Sequence, residues 1–458
     1  MRVWRAGRCP AVYAAADLVV VAHRAREPIH VVDRASDGLR GLAVGGEVVR
    51  ATARDDAEAV VVGTVPPLYP EWLGDRAFGA AHGVRFPYVV GEMANGIAST
   101  GMVAALAGAD MLGFFGAAGL DLSTLERALT ELVGTVGDRS NWGVNLIHTP
   151  MAPAFEEQVA EVLLRRGVPR ISVSAFVGLT PAVVRCAVSG LRTTPTGRIT
   201  RGAALFAKVS RPEVAEKFMS PAPGELLEVL IRRGQITEEE ARLAAHVPVA
   251  EDVTVEADSA GHTDRQSLMA VLPAIVDLRD ILTRRFGLAR RVRVGAAGGL
   301  GDPAGVAGAF ALGAAYVVTG SVNQMSVEAG VSATAKAMLA QADLADVAMA
   351  PSADMFELGV QVQVLRRGTR YAVGARRLYA AYKTHSSLEA IPPPERAALE
   401  REVLGCPLDQ IWEQTCRYWR DRDPAEIARA ASDPKHRMAL VFRWYLGQSS
   451  QWAVQGDT

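Results

Sequence analysis

Between residues 87 and 321, short apolar runs alternate with longer segments in which apolar residues recur at helical spacing. "PYVVGEM", "MLGFFGA", "WGVNLI", "RISVSAF", "ALFAKVS", "DVTVEAD", "RVRVGAAGG" and "YVVTGS" read as strands. Among the intervening stretches, "LSTLERALTELVG", "AFEEQVAEVLLRRG" and "SLMAVLPAIVDLRDILTRRF" carry amphipathic helical patterns. Strands this uniformly apolar belong to a parallel sheet covered on both faces. Eight of them alternating with helices predict an α/β fold, a (β/α)8 TIM barrel. An open dinucleotide-binding sheet would place GxGxxG after its first strand, and "GEMANGI" lacks it.

The pattern divides the chain into a β-leaning N-terminal segment (1–68), the barrel (69–350) and a helical C-terminal tail (351–458). Two departures interrupt the alternation. Residues 183–203 show no helical stripe but contain β-branched residues and the turn-like "TPTG", which predicts a hairpin in place of the fourth helix. Residues 211–250 add an amphipathic helical pair, an insertion after strand five expected to act as a lid.

Composition narrows the class. The 458 residues carry 49 basic and 50 acidic side chains, so no polybasic region calls for nucleic acid or a membrane surface. The apolar run 294–322 is rich in glycine and broken by Asp302-Pro303, a helix start, and so reads as barrel core and not a membrane span. Asp17 in the first apolar stretch argues for strand over signal peptide. The four cysteines show no CxxC pair, consistent with a reduced, cytoplasmic setting. A homodimer is left open.

Barrel chemistry gathers at the carboxyl ends of strands, with phosphates commonly held after strands seven and eight. Those loops are "GAAGGLGDP" and "TGSVNQ". Gly298, Gly299 and Gly320 let backbone N–H groups approach an anion, and Ser321 adds a hydroxyl. Other strand ends bring Asn145, Lys208 and His262. An amide, an ammonium and an imidazole beside a phosphate site suit a flavin: the amide bonds the ring edge, and the cation favours its reduced, anionic form. Each also has a plainer reading: Asn145 as a loop cap, Lys208 paired with Glu256 or Asp258, and His262 as a structural imidazole. No histidine cluster supports a metal site.

The strings "PPLYPEWLGDRAFGAAHGVRFPYVVGEMANGIASTGM", "AKVSRPEVAEKFMSPAP", "EADSAGHTD" and "FRWYLGQSSQWA" resemble the PfaD-type enoyl reductases, which are related to nitronate monooxygenases. The resemblance covers nearly the whole chain. It implies an FMN enzyme that uses NADH or NADPH to reduce the α,β-double bond of enoyl thioesters. The substrate would be carried on an acyl carrier protein of a polyketide or polyunsaturated-fatty-acid synthase. By position it places Met93, Ala94, Asn145, Lys208 and Gly261 at the flavin, and Gly298, Gly299, Gly320 and Ser321 at its phosphate. His262 becomes the proton donor, with Lys208 as the second candidate and Asp258 or Asp264 orienting the imidazole. Arg211, Lys217, Arg232 and Arg233 are expected to form a basic rim for the acidic carrier. Glu92 and Ala260 depart from the family pattern of a small residue and a glycine. A nitronate-type flavin oxidase and a non-catalytic docking component are the alternatives.

Overall fold

The computed structural model describes residues 2–51, 59–150 and 152–456. The chain forms two compact units, Met1–Leu73 and Gly74–Thr458. The first is an antiparallel sheet of β1 (Arg2–Arg5), β2 (Ile29–Arg34), β3 (Arg40–Val44), β4 (Glu47–Arg50) and β5 (Ala59–Val65), in the order β3-β2-β5-β1-β4. Its small core gathers Trp4, Val32, Ala43 and Ala59, with the Trp4 indole donating to the Gly45 carbonyl at 2.8 Å.

The second unit contains the barrel. Its strands are β6 (Tyr88–Val90), β7 (Leu112–Phe115), β8 (Trp142–Ile147), β9 (Arg170–Ser174), β12 (Ala204–Val209), β13 (Asp252–Glu256), β15 (Arg293–Ala297) and β16 (Val317–Thr319). All pair in parallel, and β16 closes on β6 with Val317 opposite Tyr88. The eight strands expected from the apolar runs are all present.

Alternation along these strands sorts residues into two environments. Val144, Leu146, Ile171, Val173, Leu205, Ala207, Val253 and Val255 join the large outer core beneath the helices. Phe114, Phe206, Ala297, Tyr316 and Val318 form a separate cluster inside the barrel. Asn145, Ser172, Lys208 and Glu256 have the inward parity, with Asn145, Lys208 and Glu256 toward the carboxyl ends of their strands and Ser172 at the middle of its own.

The opposite end of the barrel is closed. Asp252 and Arg293 head β13 and β15 as register partners, joined by two hydrogen bonds of 2.6 Å. His82, at the end of the helix Arg76–His82, lies 3.0 Å from Asp252, and Arg170 donates to its Nδ1 at 3.2 Å. Phe78 of the same helix stacks on Tyr316 at 4.4 Å between ring centres. These buried groups are mutually satisfied, so the polar mouth lies at the other end.

Three expectations require correction. A fourth helix exists, Pro181–Val188, capped by Thr180. Ala182, Val183, Val184, Cys186, Ala187 and Val188 are all buried and Arg185 is the helix's one charged residue, so the sequence carries little polar contrast to mark a stripe. The hairpin follows it as β10 (Arg192–Thr193) and β11 (Ile199–Thr200). The lid-like insertion divides as well: Pro212–Met219 packs on β12 and β13 as an ordinary barrel helix. The pair Gly224–Arg232 and Glu238–Ala244 packs on the fourth helix, sinking Leu227, Leu230 and Leu243 into the outer core. That places the pair on the barrel's flank. Finally, the C-terminal region begins with strands: β17 (Val347–Pro351) and β18 (Gln361–Leu365) form an antiparallel hairpin before the helices. Those helices have their own core around Phe356, Leu378, Ile411, Met438 and Phe442. Among the described residues no helix is long and apolar enough to cross a membrane.

Candidate active site

The loops after β15 and β16 meet an anion's requirements. Gly298 (φ +93°) is fixed by space, because a Cβ there would lie 2.8 Å from the Ala257 backbone. Gly299 (φ +68°) is fixed by conformation alone: the nearest atom to an added Cβ is the Asp258 carbonyl oxygen, at 3.7 Å. At Gly320 a Cβ would meet nothing within 4 Å. The N–H groups of Gly298, Gly299, Gly320 and Ser321 donate to no described residue. Two adjacent loops therefore carry backbone donors with no partner among the described residues.

Lys208 lies in a carboxylate cluster. Its Nζ is 3.3 Å from Glu256 Oε1 and 3.4 Å from Glu92 Oε1. Glu92 also accepts from the Ser172 hydroxyl at 3.0 Å, so its carboxylate is held within a polar network. Burial pulls the ammonium down, but Glu256 and Glu92 outweigh it and hold Lys208 above its ordinary value. The plainer pairing with Glu256 is thus real, with Glu92 added and Asp258 absent from it.

Asn145 is buried, and its Oδ1 accepts from Ala117 N at 2.7 Å and Ala118 N at 3.3 Å. Its amide nitrogen bonds no described residue, leaving a donor available beside the loop after β7. The "GEMANGI" segment folds back on that loop: Asn95 N donates to Ala118 O and Gly96 N to Gly116 O. Met93 is buried and Ala94 exposed. Asn95 Nδ2 donates to Ser450 Oγ at 2.7 Å, tying this turn to the last helix, Pro434–Gln455.

Gly261 (φ +84°) and His262 form β14, a two-residue strand beyond the barrel. Ala260 is absent from the positive-φ residues, so its backbone accommodates a side chain. The carboxylates expected to orient His262 are engaged elsewhere. Asp258 accepts from Thr263 at 3.2 Å and Gln363 at 3.3 Å. Asp264 accepts from Arg211 through two 2.8 Å bonds, and also from Ser210. The neighbour of His262 is instead Asp354, 3.1 Å away and 92 residues downstream. No local signal connects the two. Ser259 Oγ, in the same loop, is buried with no hydrogen-bond partner among the described residues.

The expected basic rim is largely paired. Besides Arg211 with Asp264, Arg233 meets Glu157 at 3.0 Å, Arg232 lies 3.6 Å from Glu228, and Lys217 donates to Val177 O. No cluster of three His, Cys, Asp or Glu side chains able to hold a metal occurs among the described residues.

A closed parallel barrel with anion-seeking loops and converging polar groups at its carboxyl end has the architecture of the (β/α)8 enzymes. The chain is 42% identical over 388 residues to a polyunsaturated fatty acid synthase component of Thraustochytrium sp., across 84% of this chain and 26% of that protein. It is 39% identical over 387 residues to the polyketide biosynthesis protein PksE of Bacillus subtilis, across 84% of this chain and 50% of that protein. It therefore spans about a quarter to a half of the length of these two relatives. The crystal structure of the enoyl reductase domain of MlnA, from the macrolactin cluster of Bacillus amyloliquefaciens, matches with a TM-score of 0.80 and 34% identity, over 85% of this chain and 87% of that one. Residues 385–458 match the family described as [acyl-carrier-protein] S-malonyltransferase, inserted helical domain. The chain belongs to the PfaD-type enoyl reductase family.

Proposed function

We propose that this chain is an FMN-dependent enoyl reductase that saturates carrier-bound enoyl thioesters at the expense of NADH or NADPH. The assembly it serves would be a polyketide or polyunsaturated-fatty-acid synthase. The observation that carries the FMN assignment is the pair of loops with four unused backbone donors around glycines whose Cβ positions have room at Gly299 and Gly320. Gly298, Gly299, Gly320 and Ser321 would hold the phosphate. The free amide of Asn145 and the ammonium of Lys208 would address the ring, with Met93, Ala94 and Gly261 beside it. When bound, FMN supplies the hydride chemistry linking the nicotinamide to the substrate β-carbon.

The chain's own task is to bind, orient and move protons. Lys208 brings one positive charge among two carboxylates, Glu92 and Glu256, which hold its ammonium in place. His262 delivers a proton to the α-carbon. Burial lowers the affinity of that imidazole for its proton, but the Asp354 hydrogen bond and charge, with Glu256, outweigh it. The net effect holds the imidazole above its ordinary 6.5. The test is anaerobic consumption of NADH or NADPH by FMN-loaded protein given an enoyl-pantetheine thioester. Saturated thioester should form one-for-one with nicotinamide consumed. Turnover confined to nitronates and oxygen would overturn the reading.

A further inference from the structure

His262 sits on a strand to which the barrel contributes no partner. β14 pairs instead with β18, Gly261 opposite Gln363 and His262 opposite Val362, and β17 flanks β18 on its other side. Asp354 stands in the connection between β17 and β18, which is closed by Ser352 N donating to Val360 O at 2.9 Å. Its Oδ1 accepts from Met355 N at 3.1 Å and lies 3.1 Å from His262 Nε2. His262 thus lies on this small sheet and Asp354 in the turn that joins two of its strands, so one β-unit carries both imidazole and carboxylate. His262 Nδ1 bonds no described residue.

We infer that Asp354 is the positioning residue for His262, holding the Nε2 proton and leaving Nδ1 as the nitrogen that gives up a proton. The inference rests on the proposed enoyl reduction. In that step the Nδ1–H bond breaks and a Cα–H bond forms with the electron pair of the substrate enolate. The imidazole is left neutral with its Nε2–H still on Asp354, and water restores the proton. The C-terminal region thereby contributes directly to the site at the barrel mouth.

Charged and titratable groups around the pair are consistent with this division. Glu256, from β13, adds negative potential at His262 but is itself engaged by Lys208. Asp264 is neutralised by Arg211, and Asp258 is bound to Thr263 and Gln363. Tyr371, packed near Asp354, is pushed upward chiefly by burial and stays neutral. Burial raises the Asp354 carboxyl, yet the His262 hydrogen bond and charge, with Ser352, outweigh it and hold it at about 2. The carboxylate therefore stays ionised across the working range.

The test uses the full chain with isotopically labelled histidine, read by NMR titration, with His262 assigned by His262→Gln. The parent should show a neutral form protonated at Nε2 and a midpoint above 6.5. Asp354→Asn should lower that midpoint and erase the tautomer preference, and Asp354→Glu should restore part of both. In turnover, Asp354→Asn should lower kcat by about 10- to 100-fold with KM little changed, the scale of losing a group that orients a histidine. An unchanged titration in Asp354→Asn overturns the inference. A shifted titration with parental kcat overturns Asp354 as a positioning residue for the reaction. A shifted titration in a parent that reduces no enoyl thioester overturns the function while leaving the coupling established.

Discussion

Lys208→Met is the most informative single perturbation, because it separates a structural ammonium from one that serves a flavin. At 3.3 and 3.4 Å from two carboxylates, each attraction is about 5 kcal/mol at an effective dielectric of 20. Desolvation of the cluster offsets much of this, and removing one partner of a buried pair typically costs about 3–5 kcal/mol. Glu256 keeps 27% of its side chain in water and is partly screened, which brings the expectation to about 2–4 kcal/mol. Glu92, only 6% exposed, bears most of the loss. Denaturant unfolding of the cofactor-free protein would measure it, with Lys208→Met, Glu92→Gln and the double variant forming a cycle. The coupling should be about 1–3 kcal/mol, with the double variant more stable than Lys208→Met alone. In FMN-loaded protein, Lys208→Met should lower the flavin midpoint potential and Glu92→Gln should raise it. A Lys208→Met protein within about 0.5 kcal/mol of the parent, with no coupling, would refute the electrostatic argument.

Other outcomes follow from the same geometry. Gly299→Val should fold at a cost of about 1–3 kcal/mol yet lose FMN, read as flavin per chain after gel filtration. Gly298→Ala should instead destabilise the protein without ligand, since its Cβ meets the Ala257 backbone. His262→Gln should slow enoyl reduction by about 10²–10⁴-fold while leaving NADPH-driven reduction of an artificial acceptor largely intact, measured with both substrates on one preparation. Asp252→Asn should cost about 3–5 kcal/mol in denaturant, because Arg293 and His82 lose their shared buried partner. Burial, opposed by Asp252, holds His82 below its ordinary 6.5; its contribution is present above that value and fades as pH falls through the folded-state midpoint. A melting temperature that declines on acidification from pH 6.5 would agree. Reversing Arg232 and Arg233 to Glu should change KM for a carrier-bound substrate only modestly, because both already face carboxylates.

The barrel was legible because its strands are buried on both faces and so announce themselves as apolar runs. Asn145 and Lys208 were legible as polar residues interrupting such runs, at inward positions near the carboxyl ends. The helix Pro181–Val188 was not, since a nearly all-apolar helix with one charged residue, Arg185, carries little periodic contrast. Asp354 was hidden for another reason. Its partnership with His262 depends on a hairpin pairing with a two-residue strand about a hundred positions earlier, and nothing in "PSADMFELG" marks that register. Glu92 could be read as a departure, but its pairing with Lys208 required the barrel to close.

The central claim is enoyl reduction at the barrel mouth with the proton supplied by His262, and product labelling in heavy water tests it most directly. FMN-loaded protein, NADPH and an enoyl-pantetheine thioester, mixed anaerobically in D2O, should yield saturated thioester carrying one deuterium at the α-carbon and solvent-independent hydrogen at the β-carbon. His262→Gln should form the same product far more slowly. No saturated thioester from the parent protein, or an undiminished rate in His262→Gln, would contradict the account.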